Sequence, residues 1–422
     1  MHSKTEIPDL SRRRKVRRRV TRWSDLEPYL GFRRPSGLWQ RRPLDRAQTI
    51  GDLREVARRR LPKAVFDFVD GGAEQEISMR RARAAFDRVE FSPRVLRDVS
   101  SVDTSVTILG ESSALPLVLA PTGLTRMLHH EGEIAVARAA ARAGIPYTLS
   151  AMGTTSPEEV HRCAPLARQW FQTYLWKDRD ATSALVESAM KADFEALVLT
   201  VDTPVGGARM RDVRNGLTLP PSLSLRTFAG MAIRPGWWMN ILTTDPLKFA
   251  SITGFNGTVA ELIAQIFDPS AGPGDLAWLR SQWSRKLIIK GIQSAEDARM
   301  MVDLGADAVV VSNHGGRQLD RAPTPLELLP EVVAAVDGRC EVMVDTGVRN
   351  GADLIAARGL GASAAMVGRA YLYGLMAGGE DGVDRAINIL RTETVRTMQL
   401  LGRNTLTDLE PGSVRIRSAS AE

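Results

Sequence analysis

Eight short runs of aliphatic and β-branched residues recur along the chain: Leu115–Pro121, Pro146–Ser150, Gln169–Tyr174, Ala196–Asp202, Lys286–Gly291, Ala308–His314, Glu341–Gly347 and Ala364–Ala370. They lack strict apolar–polar alternation, which marks strands covered on both faces. Helical patterns stand between most of them. Glu131–Arg142 is rich in alanine and closed by Gly144. Ala295–Leu304 is opened by Ser294, with Asp297 three residues on as in a capping box, and closed by Gly305. Ala352–Arg358 ends at Gly359. Strand then helix, eight times, predicts a parallel sheet, and eight is the natural count of a closed (β/α)8 TIM barrel. An open doubly wound sheet is the alternative. Its GxGxxG fingerprint is missing after the first run, where Pro121-Thr122-Gly123-Leu124 stands instead.

The runs also divide the chain. Neighbouring runs are 16 to 26 residues apart, except for the 83 residues from Thr203 to Arg285, which hold Pro220-Pro221, Trp237-Trp238 and Asp268-Pro269. An excursion of this length on one barrel loop is usually a lid, an interface or a partner surface. The Trp pair reads as packing or as a membrane or partner contact. Before the first run, Ala47–Arg60 reads as an amphipathic helix entered at Thr49, and Val65–Asp70 as a helix end turning into Gly71-Gly72. This segment is expected to cap or plug the barrel. The expected division is a basic, flexible arm over 1–45, a barrel domain over 46–410 with an insertion at about 213–280, and a C-terminal tail over 411–422.

Charge is segregated. Residues 1–60 hold 18 Lys and Arg against 7 Asp and Glu; the rest of the chain holds 38 against 42, so the net +7 belongs to the N-terminus. Arg12–Arg22 is the densest stretch, and reads as a solvated arm or as a contact for an anionic membrane surface or a partner. Its poor aromatic interleaving argues against nucleic acid. No apolar h-region follows it, so it is not a secretory signal, and no run reaches the ~18 residues of a membrane helix. The expected location is cytoplasmic, with peripheral contact on the inner face of the cell membrane. Cys163 and Cys340 fit neither a metal spacing nor a disulfide framework and read as small buried hydrophobes. The five histidines include no HExxH helix, which argues against a zinc enzyme.

Barrel chemistry gathers at the C-terminal strand ends, and the run ends carry chemical groups. They are Pro121-Thr122-Gly123, Ser150, Gln172 with Tyr174, Thr200 with Asp202 and then Arg209, Lys290, Ser312 with His314 and then Arg317, Asp345 with Arg349, and Gly368-Arg369. Gly347, Arg349, Gly368 and Arg369 follow runs seven and eight, where barrels commonly hold a phosphate, and arginines with glycine N–H donors suit a dianion. A buried Lys290 requires an anion or a developing negative charge. His314 is a candidate base, Asp202 a candidate partner for its imidazolium, and Arg209 and Arg317 are candidate carboxylate clamps. Together these suggest a phosphorylated cofactor beside a small acid.

The chain resembles the FMN-dependent α-hydroxy acid dehydrogenase/oxidase family over roughly residues 47–400. The resemblance rests on Leu61-Pro62-Lys63, Gly71-Gly72-Ala73-Glu74, Pro121-Thr122-Gly123, Trp170-Phe171-Gln172-Thr173-Tyr174 and Leu199-Thr200-Val201-Asp202-Thr203-Pro204. It rests further on Lys290-Gly291, the specific Ser-Asn-His-Gly-Gly-Arg-Gln-Leu-Asp of 312–320, Val344 to Arg349, and Val367-Gly368-Arg369. Within the family the chain is most similar to the actinobacterial L-lactate dehydrogenases. The resemblance implies FMN as cofactor and oxidation of an L-2-hydroxy acid, L-lactate to pyruvate, with electrons passed to a quinone or cytochrome and assembly as a homotetramer. It implies His314 as base, taking a proton from the α-carbon or from the hydroxyl with hydride passing to flavin N5. Asp202 would stabilise the imidazolium. Arg317 and Arg209 would bind the carboxylate, Tyr174 the hydroxyl or keto oxygen, and Lys290 the reduced flavin at N1/O2. The flavin ring and ribityl chain would meet Pro121, Thr122, Gly123, Ser150, Gln172, Thr200 and Ser312. Asp345, Gly347, Arg349, Gly368 and Arg369 would hold the ribityl and phosphate.

Two positions depart from the family pattern. Phe68 stands where a substrate-binding tyrosine is usual, a loss of about 0.5–1.5 kcal/mol for one neutral hydrogen bond, which points to weaker binding or a more apolar 2-hydroxy acid. Gly123 stands where alanine is common, which implies extra space beside the flavin and altered access for oxygen. The rival readings are an oxygen-using oxidase or monooxygenase, a related flavoprotein acting on a peptide, and a barrel isomerase or aldolase with Lys290 as Schiff base.

Overall fold

The computed structural model describes residues 22, 43–216, 218–219, 234–247, 249–250, 257–258, 267–410 and 412–418. Pro220-Pro221 and all of the basic stretch Arg12–Arg22 but its last residue lie outside them. The compact unit that contains the site begins at Pro43.

Eight strands close into one barrel: β1 (Leu117–Leu119), β2 (Tyr147–Ser150), β3 (Gln169–Thr173), β4 (Ala196–Thr200), β5 (Lys286–Ile292), β6 (Ala308–Val311), β7 (Glu341–Val344) and β8 (Ala365–Val367). Every neighbouring pair is parallel, and β8 pairs with β1 to complete the circle. Inside it, Val118, Trp170, Val198, Ile288, Val310, Met343 and Met366 pack into one apolar column. The other face of each strand packs against the surrounding helices, as in Leu119, Leu149, Phe171, Leu197, Ile289, Val309 and Val344. Burial on both faces is why these strands read as continuous apolar runs.

All the strands but β5 are shorter than the runs that announced them. Tyr174, Asp202, His314 and Asp345 fall beyond a strand end, in the loops that follow, and Arg369 opens the last helix. The helix boundaries follow local chemistry. Thr49 and Asp52 form a capping box for the helix Ile50–Arg60, and Ser294 Oγ accepts the Asp297 N–H at 3.0 Å to start Ala295–Asp303. Gly144, at φ 66°, ends Gly132–Ala143 in the left-handed conformation that favours glycine.

The segment before β1 does two jobs. The hairpin Val106–Ile108/Glu111–Ser113 closes the N-terminal mouth of the barrel: Glu341 accepts the Leu109 N–H at 2.6 Å, and Arg168 donates to the Ile108 carbonyl at 2.9 Å. The helices Lys63–Asp70 and Ile77–Asp87 stand over the opposite mouth, where the strand-end loops gather. Within the stretch assigned from sequence to a C-terminal tail, Val414–Ile416 pairs antiparallel with Val89–Phe91. The cysteines depart from expectation: both are half-buried rather than buried. Trp237 is packed into the core and its indole N–H donates to the Met127 carbonyl at 2.9 Å, whereas Met239 and Leu242 on the same helix, Pro235–Leu242, are exposed.

Candidate active site

The nine residues from Ser312 to Asp320 form the loop after β6, and nearly every polar group in it is committed. Ser312 Oγ accepts the His314 N–H at 3.0 Å and lies 3.1 Å from Lys290 Nζ. Asn313 Oδ1 accepts the Gly316 N–H at 3.1 Å, closing a short 3₁₀ turn that starts on His314 with φ 58°. Gly316, at φ 69°, lies so close to the helix Ile77–Asp87 that a Cβ would sit 2.7 Å from Met79 N. Asp320 accepts the N–H groups of Gln75, Ile77 and Ser78 and so caps that helix. Gln318 donates to the carbonyls of Asp202 and Val205 and accepts from Gly207 N–H, tying this loop to the one after β4. The histidine is therefore held in an uncommon backbone conformation by bonds on both sides of it.

His314 Nδ1 is 2.9 Å from Asp202 Oδ1, and the Asp202 side chain is 1% exposed. Burial pushes that carboxyl up, but the His314 imidazole and its hydrogen bond, with Lys290, draw it below the ordinary carboxylate value. An ionised Asp202 accepting at Nδ1 leaves Nε2 as the free nitrogen of a neutral ring. Asp202 fits there because of Gly291. The β5 register shifts between Lys290 and Ile292, Gly291 adopts φ 111°, and a Cβ on it would lie 2.8 Å from Asp202 Cβ and Cγ.

Lys290 is buried and 2.9 Å from Asp345. Burial alone lowers an ammonium's affinity for its proton, but Asp345 and then Asp202 outweigh it and hold Lys290 above the ordinary lysine value, so it is a fixed cation. Asp345 also accepts from Thr346 Oγ1, which in turn accepts the Gly315 N–H, so loops six and seven are locked together.

The arginines divide into two kinds. Arg317 Nη1 donates to the carbonyls of Phe68 (2.7 Å) and Gly71 (3.1 Å), and its guanidinium lies 5.3 Å from the Phe68 ring centroid. Arg369 is the first residue of the long last helix and donates to Val69, Gly71 and Gly315 carbonyls. The C-terminal carbonyls of the helix Lys63–Asp70 thus hold both side chains, a favourable end for cations. Neither has a carboxylate partner among the described residues. Burial, then Arg209 and Arg369, strongly disfavour the charge on Arg317; burial likewise disfavours that on Arg209, whose Nε is buried without a partner. Cations so placed call for an anion. That helix is itself anchored: Asp70 accepts from Arg54, Arg211 and Tyr373, and Arg211 also reaches Glu76 at 2.5 Å. Arg211 belongs to the short helix Met210–Asn215 that follows Arg209 directly.

One continuous pocket collects these groups. It is lined by Phe68, Pro121, Thr122, Gly123, Ser150, Gln172, Tyr174, Thr200, Arg209, Lys290, His314, Arg317, Asp345, Gly347, Arg349, Gly368 and Arg369. Of the residues expected from sequence, Asp202 and Ser312 stand behind this wall, in contact with it through His314 and Lys290. Ser150 and Gln172 are buried and hydrogen-bonded to each other at 2.8 Å. The space expected beside Gly123 is filled: a Cβ there would lie 2.8 Å from Met152 Cβ and 2.9 Å from Met152 O. Sequence reasoning missed Phe267 and Thr203 in the lining and Gln318 beside Asp202. Phe267 returns from the long insertion, bridges to Trp176 and packs its ring against Tyr174, centroids 4.5 Å apart and planes tilted by 41°. No local pattern announces it.

The donor set fits FMN. Arg349 has no side-chain partner among the described residues, the last helix begins at Gly368–Arg369 with its N–H groups toward the pocket, and Gly347 stands beside them, a cradle for a phosphate. The apolar and amide-lined middle, from Gly123 to Lys290, suits a flat ring.

Such a pocket defines a class: barrel enzymes that hold a phosphorylated cofactor beside a small acid. The chain belongs to the FMN-dependent dehydrogenase family, whose sequence pattern matches residues 57–416. It is 53% identical over 399 residues, 94% of this chain and 96% of the other, to a Mycobacterium tuberculosis protein named "Putative L-lactate dehydrogenase". It is 42% identical to the L-lactate oxidase of a Nostoc species, over 85% of this chain and 95% of that one. Among solved structures, the monotopic membrane protein (S)-mandelate dehydrogenase superposes with a TM-score of 0.84 at 36% identity, covering 88% of this chain and all of that one. The chain is thus an FMN-dependent 2-hydroxy acid dehydrogenase.

Proposed function

We propose that the chain oxidises L-lactate to pyruvate with His314 as the base and passes the electrons to a quinone or cytochrome. The observation that carries this reading is the His314–Asp202 pair set in one pocket with Arg317 and Arg209, two half-buried guanidiniums with no ion-paired carboxylate among the described residues. The substrate carboxylate satisfies that pair of cations, which places the α-carbon and its hydroxyl toward the imidazole. Tyr174 is held protonated by burial and by the nearby Asp202, so its hydroxyl is available to donate to the substrate oxygen. Nε2 of His314 takes one proton, from the α-carbon or from the hydroxyl, and Asp202 stabilises the imidazolium that forms. FMN, when bound, supplies the two-electron acceptor. Lys290 presents a fixed positive charge on the pocket wall where Gln172 and Thr200 also lie. Arg349, Gly347 and Gly368 would hold the phosphate, with the two N–H donors that Arg369 has left over.

No helix among the described residues is long and apolar enough to cross a membrane. The exposed Met239 and Leu242 and the likeness to a monotopic membrane protein support peripheral contact with the inner face of the membrane, where a quinone is available. Reduction of the bound flavin by a panel of L-2-hydroxy acids under anaerobic conditions, followed by reoxidation with oxygen, a quinone or cytochrome c, tests the reading. L-Lactate should bleach the flavin fastest and the quinone or cytochrome should restore it faster than oxygen. Reoxidation by oxygen at the turnover rate would instead favour the oxidase reading, which the likeness to a lactate oxidase supports.

A further inference from the structure

A second cluster of donor groups lies outside the pocket just described. His129, His130 and Glu131 follow the helix Thr125–Leu128 and lead into Gly132–Ala143. One ligand-type atom from each lies within 4.8 Å of the other two. His129 Nδ1 is 3.6 Å from Glu131 Oε2, too long for a hydrogen bond. It is close to the separation, about 3.3–3.5 Å, of two donors sharing a tetrahedral ion at Zn–N and Zn–O distances of about 2.0–2.2 Å. His129 Nδ1 accepts the Glu131 backbone N–H at 3.5 Å, a long hydrogen bond that an ion on this nitrogen would replace. The carboxylate is fixed in place, its Oε2 accepting the Glu380 N–H at 2.7 Å. The two imidazole rings lie 4.5 Å apart, and His130 Nδ1 is buried without a hydrogen-bond partner, an expense that a bound group would remove.

The backbone around the cluster is shaped for close approach. The last helix breaks at Gly378 and Gly379, and Gly379 has φ 62° and ψ −140°. A Cβ at Gly379 would fall 2.1 Å from Glu131 Oε2 and 2.5 Å from His129 Cε1. His130 and Glu131 also line an open cleft with Glu159 and Asp245, which gives an ion a route in and water a fourth position. Two cations stand near the cluster, and each is engaged with a backbone carbonyl: Arg60 with Ala377, and Arg126, which lines the same cleft, with Asp245. Two imidazoles and one carboxylate suit zinc and its neighbours rather than magnesium or calcium.

We propose that His129, His130 and Glu131 bind one divalent cation of the zinc class, tying the turn after the helix Thr125–Leu128 to the break in the last helix. A small turn of the His130 side chain completes the site, a motion open to a half-buried residue. The ion is structural and takes no part in hydroxy acid oxidation.

Calorimetric titration of the tag-free holoenzyme with zinc chloride tests this, alongside His130→Ala and Glu131→Gln. One equivalent should bind per chain, magnesium should not compete, and each substitution should weaken binding at least tenfold. Zinc at a hundred times its Kd should raise Tm by about 3 °C in the wild type and not in the variants. Flavin absorbance confirms that each variant is folded and loaded. The absence of a saturable equivalent in the wild type, or wild-type affinity retained by either folded variant, would overturn the proposal.

Discussion

Replacing Asp202 by Asn removes one charge and little else. The amide oxygen keeps a hydrogen bond to His314 Nδ1, now 2.9 Å from the carboxylate, and Gly291 still leaves the side chain its place. What disappears is the attraction between an imidazolium and a buried carboxylate. With charge centres about 4 Å apart and an effective dielectric constant of about 20, that attraction is about 4 kcal/mol. It is absent in the ground state, where His314 is neutral, and present once the proton has arrived. It therefore acts almost wholly on the barrier, and about 1.36 kcal/mol per tenfold converts it to a rate loss of about a thousandfold. Anaerobic stopped-flow reduction of the flavin by saturating L-lactate measures it. The limiting rate should fall by about three orders of magnitude while the apparent Kd for lactate, set by Arg317 and Arg209, changes little. A fall of less than tenfold would refute the role of Asp202 as the partner of a charged His314.

Other consequences are independent of the proton transfer. Tyrosine at position 68 restores a hydroxyl on the pocket wall worth about 0.5–1.5 kcal/mol, so Phe68→Tyr should lower the KM for L-lactate about two- to twelvefold and sharpen the selectivity for L-lactate over longer 2-hydroxy acids; unchanged values would dismiss the idea that Phe68 shapes substrate binding. Asp70 is 5% exposed, and although burial raises its carboxyl, Arg54, Tyr373 and Arg211 bring it from the ordinary 3.8 to about 2. A depressed carboxyl contributes stability above its unfolded value and loses it as pH falls through the folded one, so about 2 kcal/mol is present above pH 4 and fades toward pH 2. The difference in urea stability between wild type and Asp70→Asn should accordingly shrink over that window; a gap independent of pH would show that the network does not depend on ionised Asp70.

The barrel was legible because its strands are buried on both faces, which leaves eight apolar runs with no competing pattern. The site was legible because barrel loops carry chemistry at fixed places, so the sequence alone puts His314, Lys290 and Asp345 at one mouth. What the sequence hid is long-range. Arg317 and Arg369 are held by carbonyls of the helix Lys63–Asp70, some 250 to 300 residues away, and no local pattern encodes that partnership. Arg369 looked like a phosphate ligand alone, yet two of its bonds hold the end of the cap, at Val69 and Gly71, and a third holds Gly315. Gly123 looked like vacant space, yet Met152 occupies it. Phe267 comes to Tyr174 from the far end of the long insertion, where sequence offered only turn signals. Half-burial of the cysteines is likewise a matter of what packs beside them; burial pushes the Cys340 thiol up to about 11, which leaves it inert.

The central claim is that His314 takes the substrate proton. His314→Ala keeps the arginines, Lys290 and the phosphate cradle, so it should retain FMN and still bind pyruvate, seen as a perturbation of the flavin spectrum. Mixed with L-lactate under anaerobic conditions, its flavin should stay oxidised over times in which the wild type is fully reduced. Bleaching within tenfold of the wild-type rate would contradict the account.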